Sequence, residues 1–385
     1  MGKICFLMDS IFTIGGVQRV TAVIAKELAK QHDVTIVTMD QPQAEDTSMY
    51  GLNEAPLHYR YLRFPTVGKW KKRCLKVYSG LYRKLLPQTT LTSNGYSHSS
   101  FPSELRDALT AVLTADRYDV IVGVHAPLAA RLSSCRSRLG DTQLVGWIHN
   151  SYEALFGAGS LYIGPELRRY YEMELERLDA TVVLCRADAA RYPFPTQVIY
   201  NPLTLTPGRP STGTSRKFLA VGRFSLRHKG FDILIEAFHL FAEKNKEWTL
   251  DIVGEGVEEP MYRQMIAKYG LEQRITIHPF TNNIQQYYSD AQVYVLSSRW
   301  EGFGLVLVEA MAHGLPVVSS DLPTSLELLG DFGIYFENGN ARQLAERLQQ
   351  ATQVDWPHRS AEAMQIASKF EIQTIIGQWQ STLGL

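Results

Sequence analysis

The residues with the clearest chemical potential are two glutamates, Glu301 and Glu309, in a segment that is otherwise apolar. Residues 303–312 read FGLVLVEAMA, so a helix here is apolar on every side and must be buried. A buried carboxylate is costly unless it is hydrogen-bonded or paired, and no basic residue lies within a helical turn of Glu309. Two neighbouring hydroxyl groups, such as those of a ribose, satisfy such a carboxylate.

The residues that lead into this helix are suited to a phosphate. Gly302 and Gly304 flank Phe303 and let a ligand approach the backbone, while the helix start favours an anion. Glu301 lies on the entering loop, within reach of whatever group the phosphate carries. We therefore expect a receptor for ribose, phosphate and a polar group beyond them.

A second phosphate-binding pattern follows a predicted strand at residues 218–221. Gly222, Arg223 and Lys229 lie in the segment VGRFSLRHKGFD, which enters a helix. A diphosphate needs two cations, an arginine for forked contact and a lysine as a point charge. The alternative is that both cations are solvated surface residues.

Two features of the first half fit a ligand site less specifically. Gly15 and Gly16 lie at a strand-to-helix turn whose N–H groups suit a phosphate or a sugar, although such a pair also serves as a plain turn. His149 ends a predicted strand at residues 143–148 and is either a ligand-contacting or a structural histidine. His125, which follows a predicted strand at residues 120–124, has the same position with less support.

Metal-binding and hydrolase motifs are absent from the sequence. It contains no D-x-D triplet, no H-x-x-x-H or EF-hand spacing, no G-x-S-x-G elbow and no G-x-x-x-x-G-K-[ST] loop. We expect no metal and no other cofactor. The cations that stabilise a leaving diphosphate then come from the protein.

Length and composition limit the class of protein. A chain of 385 residues exceeds the usual size of one core and predicts two domains. The balance of 39 basic and 39 acidic residues argues against a nucleic-acid partner. Four scattered cysteines fit a reducing cytoplasm, and neither a signal peptide nor a run of apolar residues long enough to span a membrane is present.

Short β-branched runs alternate with helical patterns almost throughout, which predicts parallel α/β layers. The strand count restarts after residues 201–215, a segment rich in Pro, Gly, Ser and Thr that we interpret as the interdomain linker. We expect one domain at residues 1–203 and a second at residues 204–365. A helix within residues 366–385 is expected to pack back on the first domain.

One segment departs from this order. Residues 60–86 are rich in lysine and arginine, contain aromatic side chains, and lie in a stretch without any acidic residue. A basic amphipathic segment of this kind indicates attraction to an anionic membrane surface or to a lipid-phosphate acceptor. The alternative is a solvated cationic face.

Taken together, these motifs resemble those of the retaining family 4 glycosyltransferases with the GT-B fold. Glu301 and Glu309 reproduce the E-x7-E signature, residues 221–232 look like the VGR…KGFD phosphate loop, and residues 15–17 look like the N-terminal GG(V/A) turn. The resemblance implies two Rossmann-like domains facing a central cleft, with a C-terminal helix crossing back to the first. It implies that the first domain binds the acceptor and the second the nucleotide sugar. It also implies sugar transfer from a nucleotide diphosphate sugar, with uridine as the base by analogy, to a glycan or lipid-linked acceptor.

The resemblance also implies a role for each matching residue. Glu309 would hold the ribose and Glu301 the donor sugar, and the backbone from Phe303 to Leu305 would contact sugar and phosphate. Arg223 and Lys229 would bind the diphosphate. Gly16 would lie in the turn beside the phosphate, and His149 would contact the sugar. Asn150 and the segment at residues 201–203 depart from the family pattern, which leaves the sugar and the acceptor undetermined.

Other functions stay open on the sequence alone. A GT-B enzyme of another reaction type, such as an epimerase or a phosphorylase, uses similar architecture. A nucleotide-sugar-binding protein without turnover is a second alternative, and a nicotinamide dehydrogenase is a more distant one.

Overall fold

A computed structural model describes residues 1–160 and 162–385 of the chain. Residues 1–201 and 372–385 form one compact unit, here called unit 1, and residues 202–371 form a second, called unit 2. The boundaries that the sequence places at 203–204 and 365–366 thus lie at 201–202 and 371–372. In unit 2 the N–H of Leu203 donates to the carbonyl oxygen of Phe370 at 2.7 Å, which ties the two crossing segments together.

Unit 1 is a parallel sheet with helices, and over the described residues its strand order is β3-β2-β1-β4-β5-β6-β7. The strands are β1 Lys3–Met8, β2 Asp33–Thr38, β3 Leu57–Tyr61, β4 Val120–Val124, β5 Gln143–Trp147, β6 Ala180–Val183 and β7 Gln197–Val198. The helices are α1 Gly16–Leu28, α2 Lys69–Lys84, α3 Thr90–Ser100, α4 Ser103–Thr114, α5 Ala126–Ser133, α6 Tyr152–Phe156, α7 Arg168–Glu176, α8 Arg186–Ala189 and, from the end of the chain, α16 Ile372–Leu383.

Unit 2 repeats this plan with the strand order β10-β9-β8-β11-β12-β13. Its strands are β8 Lys217–Val221, β9 Thr249–Val253, β10 Ile275–His278, β11 Val293–Leu296, β12 Val317–Ser320 and β13 Ile334–Phe336. Its helices are α9 Phe231–Ala242, α10 Glu259–Lys268, α11 Ile284–Asp290, α12 Leu305–Ala312, α13 Pro323–Leu329, α14 Ala341–Ala351 and α15 Trp356–Ala367. The predicted α/β class with two Rossmann-like units is confirmed.

The strand β3 and the helices that follow it are not predicted by the sequence pattern. In β3 the half-buried Leu57, Tyr59 and Tyr61 alternate with exposed residues at the edge of the sheet, so no continuous apolar run marks the strand. α3 has the polar sequence TLTSNGYSHSS, and packing holds it in place. The hydroxyls of Tyr82 and Ser93 are 2.8 Å apart in the buried contact between α2 and α3.

The strand order identifies where a ligand can meet each sheet. In unit 1, β2 and β3 lie on one side of β1 and the later strands begin on its other side with β4, so the order in which strands are added reverses between β1 and β4. In unit 2 the order reverses in the same way between β8 and β11. Open α/β sheets bind ligands beyond the carboxyl ends of the strands at such a switch point. In unit 2 the two segments at this point are residues 222–230 and 297–304, which include Arg223 and Lys229 of one motif and Glu301 of the other.

The helix α16 belongs to unit 1, as expected for the end of the chain. Its Trp379 is fully buried and meets Trp147 of β5 edge to face, with ring centroids 4.7 Å apart. Further along α16, Gln143 donates through its amide to the carbonyl oxygen of Thr382 at 3.0 Å. The helix therefore completes the core of unit 1.

We expect Trp379→Ala to lower the free energy of unfolding of unit 1 by about 3–5 kcal/mol, because it leaves a cavity against Trp147. Gln378→Ala, an exposed position on the same helix, is the matched control and should change the same quantity by less than about 0.5 kcal/mol. Chemical denaturation followed by circular dichroism measures both. Equal effects of the two substitutions would contradict a structural role of Trp379.

Candidate functional site

The two segments at the switch point of unit 2 are fastened together by hydrogen bonds. Arg299 forms a forked ion pair with Asp232, with distances of 3.0 and 2.7 Å, and donates to the carbonyl oxygen of Leu226 at 2.5 Å. The N–H of Arg299 donates to the carbonyl oxygen of His228 at 2.7 Å. Forked arginine contacts of this kind fix orientation as well as distance, so the loop after β8 is held against the loop after β11.

Gly230 allows this close approach. Its φ is +63°, in the left-handed region, and a Cβ atom there would collide with the carbonyl oxygen of Ser297. The hydroxyl of Ser297 in turn donates to the carbonyl oxygen of Lys229 at 2.9 Å. Gly222 is also constrained, since its Cβ would lie 3.0 Å from the Lys229 side chain.

An ion pair between Lys229 and Glu301 joins the two loops. Lys229 Nζ donates to Glu301 Oε1 at 2.6 Å, and the hydroxyl of Ser298 donates to the same oxygen at 2.6 Å. The two side chains of the pair are only 13% and 9% exposed. Burial raises the pKa of Glu301, but Lys229, His228 and Ser298 outweigh it and hold the pKa below its ordinary value of 4.5.

His228 lies beside this pair without joining it by a hydrogen bond. Its Nε2 is 3.8 Å from Glu301 Oε2, and its ring stacks on Trp300 with an interplanar angle of 15°. Burial lowers the pKa of His228, although the charge of Glu301 partly opposes this. We therefore expect a neutral imidazole next to the ion pair at neutral pH.

Glu309 is buried in α12, as the sequence predicts, with 2% of its surface exposed. The structure supplies a partner that the sequence reasoning did not anticipate, because the hydroxyl of Tyr288 in α11 donates to Glu309 Oε2 at 2.8 Å. A protein side chain therefore already satisfies part of this carboxylate, for which the sequence suggested the hydroxyl groups of a ligand. Tyr288 also fixes the direction in which the carboxylate points.

His313 holds the end of α12 to the segment that enters unit 2. Its Nε2 accepts from the N–H of Gly208 at 3.0 Å, so its Nδ1 carries the proton and donates to the carbonyl oxygen of Glu309 at 2.7 Å. Burial lowers the pKa of this fully enclosed imidazole, in agreement with a neutral tautomer. The linker predicted at residues 201–215 is thus anchored on unit 2.

The start of α12 lies directly after the ion pair in the sequence. Gly304 has a φ of +85°, and the helix begins at Leu305, so its first N–H groups have no carbonyl partner inside the helix. Phe303 is buried edge to face against Phe370, with centroids 5.9 Å apart. The Phe303 side chain is therefore enclosed, and the N–H groups at the start of α12, from Leu305, are the groups suited to a phosphate.

Arg223 lies at the beginning of the loop that follows β8, immediately after Gly222. Its side chain is exposed. Such a side chain is free to meet an anion from solution. The structure thus places Arg223, Lys229, Glu301 and Glu309 in one unit, on the loops and helix around one switch point.

The remaining predicted residues lie in unit 1. Gly15 precedes α1, and its N–H donates to the hydroxyl of Tyr50 at 2.8 Å. The turn before it is braced by Asp40, which accepts from Ser10 and from the N–H of Ile11 at 2.7 and 2.8 Å. Burial raises the pKa of Asp40, but these hydrogen bonds outweigh it and lower the pKa, so the carboxylate is a charged brace for the loop that leads to Gly16.

His149 follows β5 in unit 1 and is 5% exposed. Its ring lies 4.3 Å from Trp147 and 5.3 Å from His125, measured between ring centroids. Burial holds the pKa of His149 well below 6.5, and a proton on the neighbouring His125 would lower it further. Its Nε2 is buried and has no hydrogen-bond partner among the described residues, so a neutral ring atom is available to a ligand hydroxyl.

Sequence reasoning missed three members of this site: Ser298, His228 and Tyr288. The first two lie next to residues that the motifs identify, so their neighbourhood was a usable signal. Tyr288 had none, because it lies in a different helix, 21 residues before Glu309.

Comparison with known proteins identifies the family. The model described as Glycosyltransferase Family 4 matches residues 14–207, and the model described as Glycosyl transferases group 1 matches residues 207–367. The chain belongs to glycosyltransferase family 4 and is a glycosyltransferase, which confirms the resemblance stated from its motifs.

Individual relatives agree with this assignment. An uncharacterized glycosyltransferase of Haemophilus influenzae is 25% identical over 401 aligned positions that cover all of both chains. The lipopolysaccharide core biosynthesis mannosyltransferase LpsB of Rhizobium meliloti is 29% identical over 171 residues, which are 40% of this chain and 49% of that enzyme. The crystal structure of Anabaena Alr3699/HepE in complex with UDP and glucose has a TM-score of 0.73 at 22% identity and covers all of both chains, which demonstrates a shared fold.

We expect the ion pair of Glu301 to make stability depend on pH. Because folding lowers the pKa of Glu301, its contribution is complete above pH 4.5 and is lost as the pH falls through the lowered value. The free energy of unfolding of wild type minus that of Glu301→Gln should therefore be constant near neutral pH and shrink in more acidic solution.

Urea denaturation at a series of pH values measures this difference. Glu346→Gln, at an exposed position of α14, is the control, and its difference from wild type should stay flat. A wild-type advantage over Glu301→Gln that grows as the pH falls would contradict the assignment.

Proposed function

We propose that this enzyme transfers a hexose or N-acetylhexosamine from a nucleotide diphosphate sugar with retention of the anomeric configuration. The observation that carries the proposal is the buried Lys229–Glu301 pair, which lies at the switch point of unit 2 directly before the helix start at Gly304. This arrangement combines a cation and free N–H groups for phosphate with a carboxylate for sugar hydroxyls.

Each residue has a defined task in this proposal. Glu309, directed by Tyr288, accepts hydrogen bonds from the ribose hydroxyls, and Glu301 accepts from the donor sugar. Lys229 has further N–H donors besides the one that faces Glu301, and together with Arg223 and the start of α12 it binds the diphosphate. In unit 1, Gly16 offers the backbone N–H at the start of α1 and His149 a neutral imidazole, which suit a phosphate and a sugar hydroxyl, whereas the N–H of Gly15 already donates to Tyr50.

The reaction that best suits these groups is a front-face displacement. The acceptor hydroxyl oxygen attacks the anomeric carbon, the bond from that carbon to the phosphate oxygen breaks, and the nucleoside diphosphate leaves. The departing phosphate oxygen takes the proton of the incoming hydroxyl, while Arg223 and Lys229 stabilise the developing charge. We propose that the protein's own cations perform this task without a metal ion.

A carboxylate nucleophile is the alternative route to retention. Glu301 is the candidate in the matched motif, but its Oε1 already accepts from both Lys229 and Ser298 at 2.6 Å. Such a carboxylate is suited to hold a sugar and is a poor nucleophile, because two donors stabilise its negative charge.

We infer that the base is uridine and that unit 1 binds a glycan, lipid-linked or surface-polysaccharide acceptor. The support for uridine is the shared fold with a protein crystallised with UDP, and the support for the acceptor is similarity to a mannosyltransferase of lipopolysaccharide core biosynthesis. None of the helices among the described residues has the length and apolar character needed to cross a membrane. We propose a cytoplasmic enzyme that works at the inner face of the cell membrane, with the cationic residues 60–86 as its contact.

A GT-B enzyme of another reaction type, or a binder without turnover, makes a different prediction. Screening nucleotide sugars by thermal shift identifies the donor, and mass spectrometry of the product identifies the sugar transferred. Release of nucleoside diphosphate that requires an acceptor supports transfer. Donor binding without any acceptor-dependent product would contradict it.

We expect Arg223→Ala to lower kcat by about 10²–10³-fold, the effect of removing one donor to developing charge. The change is at an exposed side chain, so folding should be unaffected. Arg227→Ala, exposed on the same loop, is the matched control and should keep near-normal turnover under saturating donor. Near-normal kcat in Arg223→Ala would refute the leaving-group assignment.

We expect Glu309→Gln to raise KM for the donor more than it lowers kcat, because ribose contacts are made equally in the ground and transition states. A loss of about 1.5–3 kcal/mol in donor binding corresponds to one charge-assisted hydrogen bond. Tyr288→Phe should shift the same parameter less. Unchanged donor binding in Glu309→Gln would remove Glu309 from the site.

A further inference from the structure

The helix α2 has two apolar faces, and the protein covers only one of them. On the covered face Tyr82 is fully buried. On the other face four apolar side chains, here called the α2 ridge, are exposed to between 41% and 79%: Trp70, Val77, Leu81 and, just after the helix, Leu85. Their spacing of three to four residues or multiples of it places them on one side of the helix. A continuous exposed apolar stripe of this kind marks an interaction surface.

The charge around the α2 ridge is strongly positive. Residues 55–103 contain no aspartate or glutamate, whereas they contain nine lysines and arginines: Arg60, Arg63, Lys69, Lys71, Lys72, Arg73, Lys76, Arg83 and Lys84. Three of these pair with acidic residues elsewhere in unit 1, namely Arg60 with Asp116, Lys71 with Glu104 and Arg83 with Glu166. The other six form no ion pair within the described parts of the chain, and five of them lie on α2.

Four of these unpaired cations converge. Lys69, Lys72, Arg73 and Lys76 line a shallow cavity of about 440 Å³ together with Val77 of the ridge. Apolar and cationic surface therefore meet along one helix. Phosphate groups in this cavity would be within reach of several donors while the neighbouring ridge is buried in an apolar medium.

We propose that α2 docks in the interfacial layer of an anionic lipid bilayer, with the α2 ridge among the acyl chains and the unpaired cations on the headgroup phosphates. A bilayer satisfies both demands at once, because it presents hydrocarbon and anionic phosphates in adjacent layers. Tryptophan is suited to this boundary, since its ring is apolar and its N–H is polar. At 16 residues, with lysine and arginine throughout, α2 lies in the plane of the surface.

This inference rests on the proposed function only for its biological use, which is to bring the enzyme to a membrane-held acceptor. The docking itself is independent of catalysis. The ridge and the cavity contain none of the residues assigned to the donor site.

The test is sedimentation of the full chain with vesicles of equimolar phosphatidylcholine and phosphatidylglycerol, compared with vesicles of phosphatidylcholine alone. We expect binding to the anionic vesicles that weakens as salt is added. The triple variant Lys72→Gln, Arg73→Gln, Lys76→Gln should lower the partition coefficient by about a hundredfold, at about fivefold per cation. A matched triple variant in unit 2, Lys244→Gln, Lys246→Gln, Lys268→Gln, removes the same charge from exposed positions and should leave binding nearly unchanged.

The apolar contribution has its own variant and control. Trp70→Ser with Leu85→Ser should lower the partition coefficient by more than about tenfold. Val257→Ser removes an apolar side chain that is 91% exposed in unit 2 and should have no effect. Circular dichroism verifies that each variant keeps its fold, which is expected because every changed side chain is exposed.

The fluorescence of Trp70 separates insertion from surface attraction. Lipids with brominated acyl chains should quench part of the tryptophan emission of wild type on binding. That quenching should disappear in Trp70→Phe, which keeps an aromatic ring and should sediment nearly as wild type does.

Three outcomes would overturn the proposal: equal binding to neutral and anionic vesicles, full binding by the Trp70→Ser, Leu85→Ser variant, or self-association of wild type that this variant abolishes. The last result would make the ridge an interface between copies of the chain. Donor binding in solution reports on the proposed function separately. The ridge variants should retain it, so a failure of docking and a failure of the donor assignment are distinguishable.

Discussion

The buried ion pair between Lys229 and Glu301 is the contact around which unit 2 organises its site. Removing both charges from water is costly, and the 2.6 Å contact offsets this only because Ser298 supplies a further donor to the same carboxylate oxygen. The pair therefore requires that the loops after β8 and β11 approach to a fixed distance. Any change that separates these loops leaves a carboxylate without its cation in a poorly solvated environment, where its pKa rises.

Several features of the fold exist to make that approach possible. Gly230 removes the atom that would strike Ser297, and Arg299 clamps Asp232 and Leu226 from the opposite loop. The strand order places both loops at the carboxyl ends of adjacent strands. The second carboxylate, that of Glu309, is also oriented by a protein donor, the hydroxyl of Tyr288. The backbone carbonyl of Glu309 accepts a hydrogen bond from the neutral imidazole of His313. Protein donors thus orient both carboxylates of the site, and oriented groups of this kind are what electrostatic stabilisation of a leaving group requires.

Unit 1 combines two kinds of surface with different physical requirements. Near the carboxyl ends of β4 and β5, burial keeps His125 and His149 neutral, which suits hydrogen bonding to uncharged hydroxyl groups. The helix α2, inserted after the edge strand β3, instead exposes tryptophan, leucine and unpaired cations. The inserted helices thus carry their apolar and cationic surface without disturbing the sheet that carries the two histidines.

The amino-acid sequence by itself determined most of the architecture and indicated the residues that we assign to the site. A continuous apolar run such as Val120–Val124 became a strand with the predicted bounds, because buried parallel strands need apolar side chains on both faces. Glycines and charged residues at strand ends indicated, also from local pattern, the loops after β8 and β11 to which we assign the phosphate. The edge strand β3 and the polar helix α3 were not predicted from the sequence, because long-range packing and not local pattern stabilises them. Only the tertiary structure decided that Lys229 pairs with Glu301, 72 residues away, and that Tyr288 directs Glu309. Contacts between side chains of separate elements depend on how the loops fold against each other. The spacing of residues along the chain does not predict these contacts.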